Sequence, residues 1–468
     1  MPFTTSTPLT QFHPITDSND KLGSRLNQIK AIELVLSRNS DFTYFVLRSF
    51  AMQQISPEML ETIRSKFAQI DHCPEQGQRV FFENAGGALT LHSVVENSRR
   101  YAAVPDNQGR DNVGSHKLMR VIKKAKDDMR VLMNAPDGQF FVGESGTELL
   151  FRLIMNACLG VAADGVVLGS TVEHPATRSA CARWSKIGGN RHVLIPHDNA
   201  LGLVTAEDYA ATVTADTRVA TILHTSPVTG MGMNVAAISA AIRDVSPDCF
   251  IIVDGIQHAA HGLIDIKSYD VDGYVISPYK MFSRHGYGFA WISERLTALP
   301  HDSLVGGPEN NWELGTRDTG AYATLSDIAD YLEWLGEQVS DASDRRAKFE
   351  AAGAAIHAHE KTLTDAMIHG TGNHTGLAKM DRVTIIGGVE NAAREGLVSI
   401  YVDGIASADV VTRLNEEGVR THLRKADHYS GNILDPLGVD GCVRVSMCHY
   451  NSIHEVAQFL AVMESIAE

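Results

Sequence analysis

At 468 residues, with 44% apolar and 21% charged residues, the chain is long enough for two or three soluble domains. The 41 basic and 56 acidic residues leave a net charge of −15, which argues against a nucleic-acid surface or an anionic-membrane surface. No apolar run approaches the roughly 18 residues that span a bilayer.

The first twenty residues lack a basic start followed by an apolar run, so no secretory signal is expected. The six cysteines (Cys73, Cys158, Cys181, Cys249, Cys442, Cys448) are scattered without CxxC spacing. A cytoplasmic protein is expected, with no disulfide framework and no metal site.

Residues 1 to about 20, rich in Thr, Ser and Pro, read as a loosely held arm. Helical periodicity follows over Leu22–Leu36 and Ser56–Ile70, the second opened by Ser56-Pro57-Glu58. Val80-Phe81-Phe82 reads as a short strand before Glu83-Asn84-Ala85-Gly86-Gly87, where small residues permit either a close backbone approach to a ligand or a plain turn. A scaffold helix is expected over Ser115–Met133.

Gln139–Val142 is a strand, followed by Gly143-Glu144-Ser145-Gly146-Thr147-Glu148 and a helix over Leu149–Leu159. Free N–H groups at such a helix start make an anion site, although taken alone the segment reads first as ordinary helix capping by Ser145 or Thr147. Gly165–Gly169 is a strand leading to His174, and Arg218–Leu223 is a strand leading to His224-Thr225-Ser226-Pro227. After a helix over Val235–Ile242, the run Phe250–Val253 ends on Asp254, and Gly273–Ser277 leads into Tyr279 and Lys280. Strand and helix alternate here as in an α/β fold with a mostly parallel sheet, whose strand ends present ligand-binding groups.

Helical composition begins near Ala321, runs past Leu335 and continues to about Leu363. Strands over Arg382–Ile386 and Leu397–Val402 and helices over Ser407–Glu417 and Ile453–Ile466 then suggest an α+β domain. Three parts are expected: an N-terminal arm with helices over 1–75, a large domain over 76–325 and a smaller domain over 326–468.

A lysine and a carboxylate at neighbouring strand ends suit pyridoxal phosphate, which needs an amine for a Schiff base and an anion beside its ring nitrogen. Asp254-Gly255-Ile256-Gln257, Ser277-Pro278-Tyr279-Lys280, Glu313-Leu314-Gly315-Thr316 and the tail Val443 to Asn451 resemble the class V, fold-type I pyridoxal-phosphate enzymes, within them the cysteine-desulfurase-like branch. The resemblance covers roughly residues 56–468. It implies a large domain with a mostly parallel seven-stranded sheet, a smaller α+β C-terminal domain and a homodimer.

By that resemblance Lys280 carries the internal aldimine and moves the Cα proton of an amino-acid substrate. Asp254 pairs with the ring nitrogen, Gln257 bonds the phenolic oxygen and His174 stacks on the ring. Gly146, Thr147, Ser277 and Tyr279 hold the phosphate, and Thr316 of a second subunit completes the site. Tyr279 stands where the family usually has histidine, although this branch commonly has tyrosine. Arg444 grips the substrate carboxylate, as guanidinium geometry favours, flanked by Asn84, Ala85 and Gly86, with His428 in the neighbouring loop.

Two departures bear on the reaction. Desulfurases carry a mobile cysteine in the loop that here runs from Gly418 to Ser430, and this loop has none. Pro227 replaces an asparagine that has a side-chain donor. The loop instead holds Arg420, Arg424 and Lys425, which either select a second acidic group on the substrate or form a solvated charge run. A C–S lyase acting by β-elimination needs no persulfide cysteine. Alternatives are a class V aminotransferase, a decarboxylase, aldolase or epimerase on the same scaffold, or a non-enzymatic cofactor-binding regulator. A nicotinamide enzyme is disfavoured because no GxGxxG opens a strand–helix unit.

Overall fold

The computed structural model describes residues 55–390 and 392–468. The expected arm and the Leu22–Leu36 helix lie outside those residues. The central element is a seven-stranded sheet whose strands we number in chain order. They are β1 Gln139–Gly143, β2 Val166–Ser170, β3 Arg191–Ile195, β4 Thr217–Leu223, β5 Phe250–Asp254, β6 Gly273–Ile276 and β7 Gly288–Ile292. Their spatial order is β1-β7-β6-β5-β4-β2-β3, with only β7 running antiparallel to its neighbours.

Both faces of the sheet's central strands are covered, which explains why β5 and β6 read as apolar runs. Along β5, Ile251 and Val253 enter one core while Ile252 enters another on the opposite face. Side chains buried to this extent contribute about 1.5–3 kcal/mol each, so the strand ends are held on a stiff base. The ends of β1, β2, β4, β5 and β6 carry Gly146, His174, Pro227, Asp254 and Lys280 to one edge of the sheet.

A second sheet contains β8 Val383–Ile385, β9 Leu397–Val402, β10 His422–Lys425 and β11 Gly441–Ser446, in the order β8-β9-β11-β10. Its core includes Leu363, Val398, Val443 and Phe459, and also Val80 and Phe82 from far upstream. Val80–Phe81 pairs in parallel with Val419–Arg420, so this early strand is joined to the second sheet. The helix Arg345–His369 spans both cores, with Phe349 and Ile356 in one and Leu363 and Met367 in the other.

Several elements differ from expectation for local reasons. The Ser56–Ile70 helix is shorter, Pro57–Arg64, because Ala68 bonds Thr90 and Gln69 turns with φ 57°. The helical region after Ala321 is two helices, Thr319–Val339 and Arg345–His369. Ser340 is extended between them, and the Asp344 side chain caps the second by accepting from Ala347 N. Strands Arg191–Ile195 and Gly288–Ile292 and the helix Pro175–Ile187 were not expected individually. The first part of the supposed loop from Gly418 to Ser430 is strand, formed by Val419–Arg420 and β10. No described helix is long and apolar enough to cross a membrane.

Candidate active site

Lys280 follows β6 in a short 3₁₀ turn begun by Pro278, which directs its amine toward Gln257. Its Nζ donates to Gln257 Oε1 at 3.1 Å. Burial, with Arg444 close by, brings this amine down to about 7. Asp254 ends β5 almost fully buried and accepts from Ile256 N at 3.1 Å. Burial lifts its carboxyl to about 6, against the opposing pull of that N–H and Lys280. A buried carboxylate and a softened amine on adjacent strands match an acid–base and anchoring pair.

His174 caps the helix Pro175–Ile187, its Nδ1 accepting from Ala176 N at 3.2 Å. The proton of the neutral ring is therefore on Nε2. Burial, then the charges of Lys280, Arg424 and Arg178, hold the ring neutral with its pKa near 3.

Gly146 opens the helix Gly146–Gly160, and the Ser145 side chain caps it by accepting from Glu148 N. Ser145 is thus the cap, leaving the Gly146 and Thr147 N–H groups at a helix start without intrahelical partners. A Cβ at Gly146 would stand 2.4 Å from Ser277 Oγ and 2.5 Å from Ile256 Cδ1. A Cβ here would force the Ser277 and Ile256 side chains to shift where the helix start meets the β6 end. Gly146→Ala is expected to weaken cofactor binding about 10- to 100-fold with the fold retained, read by titrating apoenzyme with cofactor. Tyr279 stacks on His285 with ring centroids 4.3 Å apart. Thr316 is exposed, next to Arg317, which pairs with Glu144.

Arg444 on β11 is 2% exposed, and its Nη1 donates to the Pro227 carbonyl at 3.0 Å. Its Nε is buried without a partner. Burial and the nearby Arg424 bring this guanidinium to about 9. The Pro227 turn is pinned to the second sheet by Ser399 Oγ, which donates to the Val228 carbonyl at 2.6 Å. The backbone carbonyl at Pro227 thus orients Arg444, while proline offers no side-chain donor there.

The Asn84 to Gly86 segment approaches the site differently from expectation. Asn84 Nδ2 donates to the Ser446 carbonyl at 2.8 Å, and its Oδ1 accepts from Tyr450, so its amide is spent internally. Ala85 N bonds Ser446 Oγ and Gly86 N bonds the Glu83 carbonyl. Gly86 instead offers closeness: a Cβ there would lie 3.5 Å from Arg444 Nη2. His428 is exposed against the Tyr429 ring, and Tyr429 is the residue whose ring lies 6.2 Å from His174.

Sequence reading missed the support behind Gln257. Gln257 Nε2 lies 3.0 Å from His261 Nε2, and His261 Nδ1 lies 2.8 Å from Glu360 Oε2. Burial opposes charge on His261, but Glu360 more than offsets it and raises the imidazole. His261, Glu360 and Cys448 place possible ligand atoms within 4.8 Å, yet both imidazole nitrogens are already engaged. The four-residue step from Gln257 to His261 was a visible signal, while Glu360 arrives from a helix about a hundred residues later.

The family model described as Aminotransferase class-V matches residues 80–459. The chain belongs to the class V aminotransferase family. Its members are pyridoxal-phosphate enzymes, and this chain is one of them. The aminotransferase-like protein FGM3 of Gibberella zeae is 26% identical, over 87% of this chain and 98% of that protein. A second relative, the nonribosomal peptide synthetase-like enzyme fsqF of Aspergillus fumigatus, is 26% identical over 83% of this chain, which spans only 26% of its length. The apo cysteine desulfurase of Thermococcus onnurineus NA1 shares the fold with a TM-score of 0.74 at 20% identity, covering 87% of this chain and 98% of that one.

The site suits the class V cofactor on its own chemistry. It combines a buried amine, a carboxylate on the next strand, an Arg444 nitrogen unpaired among the described residues and a helix start packed closely on Ser277.

Proposed function

We propose that this enzyme is an amino-acid C–S lyase that eliminates at Cβ without a persulfide cysteine. The observation that carries the reading is the state of Cys442, the thiol two residues before Arg444 on the same strand. Cys442 is wholly buried on β11, and burial pushes its thiol up to about 11. Such a group is a poor nucleophile at neutral pH, and residues 418–430 contain no cysteine.

The cofactor, when bound, supplies an electron sink that stabilises negative charge at the substrate Cα. Gly146, Thr147, Ser277 and Tyr279 would hold its phosphate, Asp254 its ring nitrogen and Gln257 its phenolic oxygen. His174 would lie on the ring face, kept neutral by its surroundings. Arg444 would bind the substrate carboxylate and thereby set which Cα bond faces Lys280. Lys280 Nζ would take the Cα proton and hold it while the sulfur group departs from Cβ. Thr316, exposed in its loop, would complete the phosphate site of a second copy in a homodimer.

A class V aminotransferase is the second reading, since it asks the chain only for Lys280 to move a proton away from Cα and back. The holoenzyme should release pyruvate and ammonia from cysteine or an S-substituted cysteine. Turnover that instead requires an oxo acid and forms a new amino acid would overturn elimination in favour of transamination.

A further inference from the structure

β10 lies beside β11 with His422 opposite Arg444 and Arg424 opposite Cys442. Side chains alternate across a strand, so Arg424 and Arg444 project from one face of the sheet as diagonal neighbours. Two guanidinium groups placed this way repel each other, and burial of either is unfavourable without an anion.

The three basic residues of this segment have different fates. Arg420 Nε bonds Glu83 Oε2 at 2.8 Å, and His422 Nδ1 occupies the other oxygen at 3.0 Å. Lys425 is exposed. Arg424 is half-buried, with Nε donating to Ser430 Oγ at 2.8 Å and Nη2 reaching the Tyr429 carbonyl at 3.4 Å. Among the described residues it has no carboxylate within ion-pairing distance. It projects from the same face of the sheet as Arg444, whose guanidinium its charge disfavours.

We propose that Arg424 is a second acid-binding residue, and that the substrate is an amino acid carrying another carboxylate on its side chain. Arg444 holds the α-carboxylate and Arg424 the distal one, its approach bounded by Tyr429. Ser430 and the Tyr429 carbonyl fix the guanidinium plane and leave Nη1 available to the ligand. The proposal rests on the reading of Arg444 as the α-carboxylate site, but not on which bond is broken.

The test uses holoenzyme and two probes of equal length, succinate and butyrate, with binding followed by the cofactor absorbance and by calorimetry. Succinate is expected to bind roughly 10- to 100-fold more tightly, the range for one charged hydrogen-bonding partner. Arg424→Gln should bring succinate to the level of butyrate, and Arg424→Lys should restore part of the difference. Arg420→Gln should keep the preference, because Glu83 already holds that side chain. Butyrate bound without a succinate preference, or a preference that survives Arg424→Gln, would overturn the assignment of Arg424 alone. Neither acid binding, with Arg444→Lys unchanged from wild type, would overturn the Arg444 reading and this proposal with it.

Discussion

Lys280→Ala is expected to abolish the borohydride-trappable bond to the cofactor and to lower turnover by at least about 10³-fold. The residue would both anchor the cofactor and move the Cα proton, and general acid–base transfer alone is typically worth about 10²–10⁴-fold. Absorbance, trapping and amino-acid turnover of the purified variant check this. Retained colour and trapping would remove Lys280 from the mechanism. The same amine predicts a pH dependence for cofactor loading. An amine near 7 is mostly charged below that pH and mostly neutral above it. Only the neutral form attacks an aldehyde. The rate of reconstitution from apoenzyme should therefore rise about tenfold per pH unit below 7 and level off above it.

Asp254→Asn should separate catalysis from stability. Removing the charge beside the ring nitrogen is expected to lower kcat by about 10²–10³-fold while the cofactor remains bound. In the apoenzyme the effect has the opposite sign. The folded-state carboxyl is raised from 3.8 to about 6 by burial, so the folded state holds its proton more tightly than the unfolded state. Stability then falls as pH rises from the unfolded value through 6, and the loss is complete above it. It amounts to on the order of 3 kcal/mol. Asparagine carries no charge to desolvate, so apo Asp254→Asn should resist urea better than wild type at pH 7.5 and lose that advantage near pH 4. Equal midpoints at both pH values would show that the buried charge is not destabilising.

The locally encoded features were the easiest to read. Phe250–Asp254 and Gly273–Ile276 are short apolar strands, the first ending on the candidate Asp254 and the second leading into the candidate Lys280, and both lie where expected. Arg191–Ile195 escaped notice because it is an edge strand with Arg191 and Leu194 exposed, matching neither a buried run nor clean alternation. Residues 419–425 looked like a loop because their charges masked two short strands, and only pairing makes them so: Val419–Arg420 with Val80–Phe81, and His422–Lys425 with Gly441–Arg444. Ser145 shows the opposite difficulty. Both roles considered for it were chemically sound, and its bond to Glu148 N selects the cap.

The sequence alone determined the α/β class and, through the family resemblance, the cofactor. Strand period and residue chemistry singled out Asp254 and Lys280 as candidates, and the resemblance added Gln257 and Arg444. Tertiary structure decided how those residues are supported and charged. It joined Gln257 to His261 and Glu360, turned the Pro227 carbonyl onto Arg444, spent Asn84 on Tyr450, and left Arg424 on the Arg444 face of its sheet while Glu83 took Arg420. Most of these contacts span scores to hundreds of residues, and their energies depend on burial and on neighbouring charges. Neither quantity exists until the two sheets have packed.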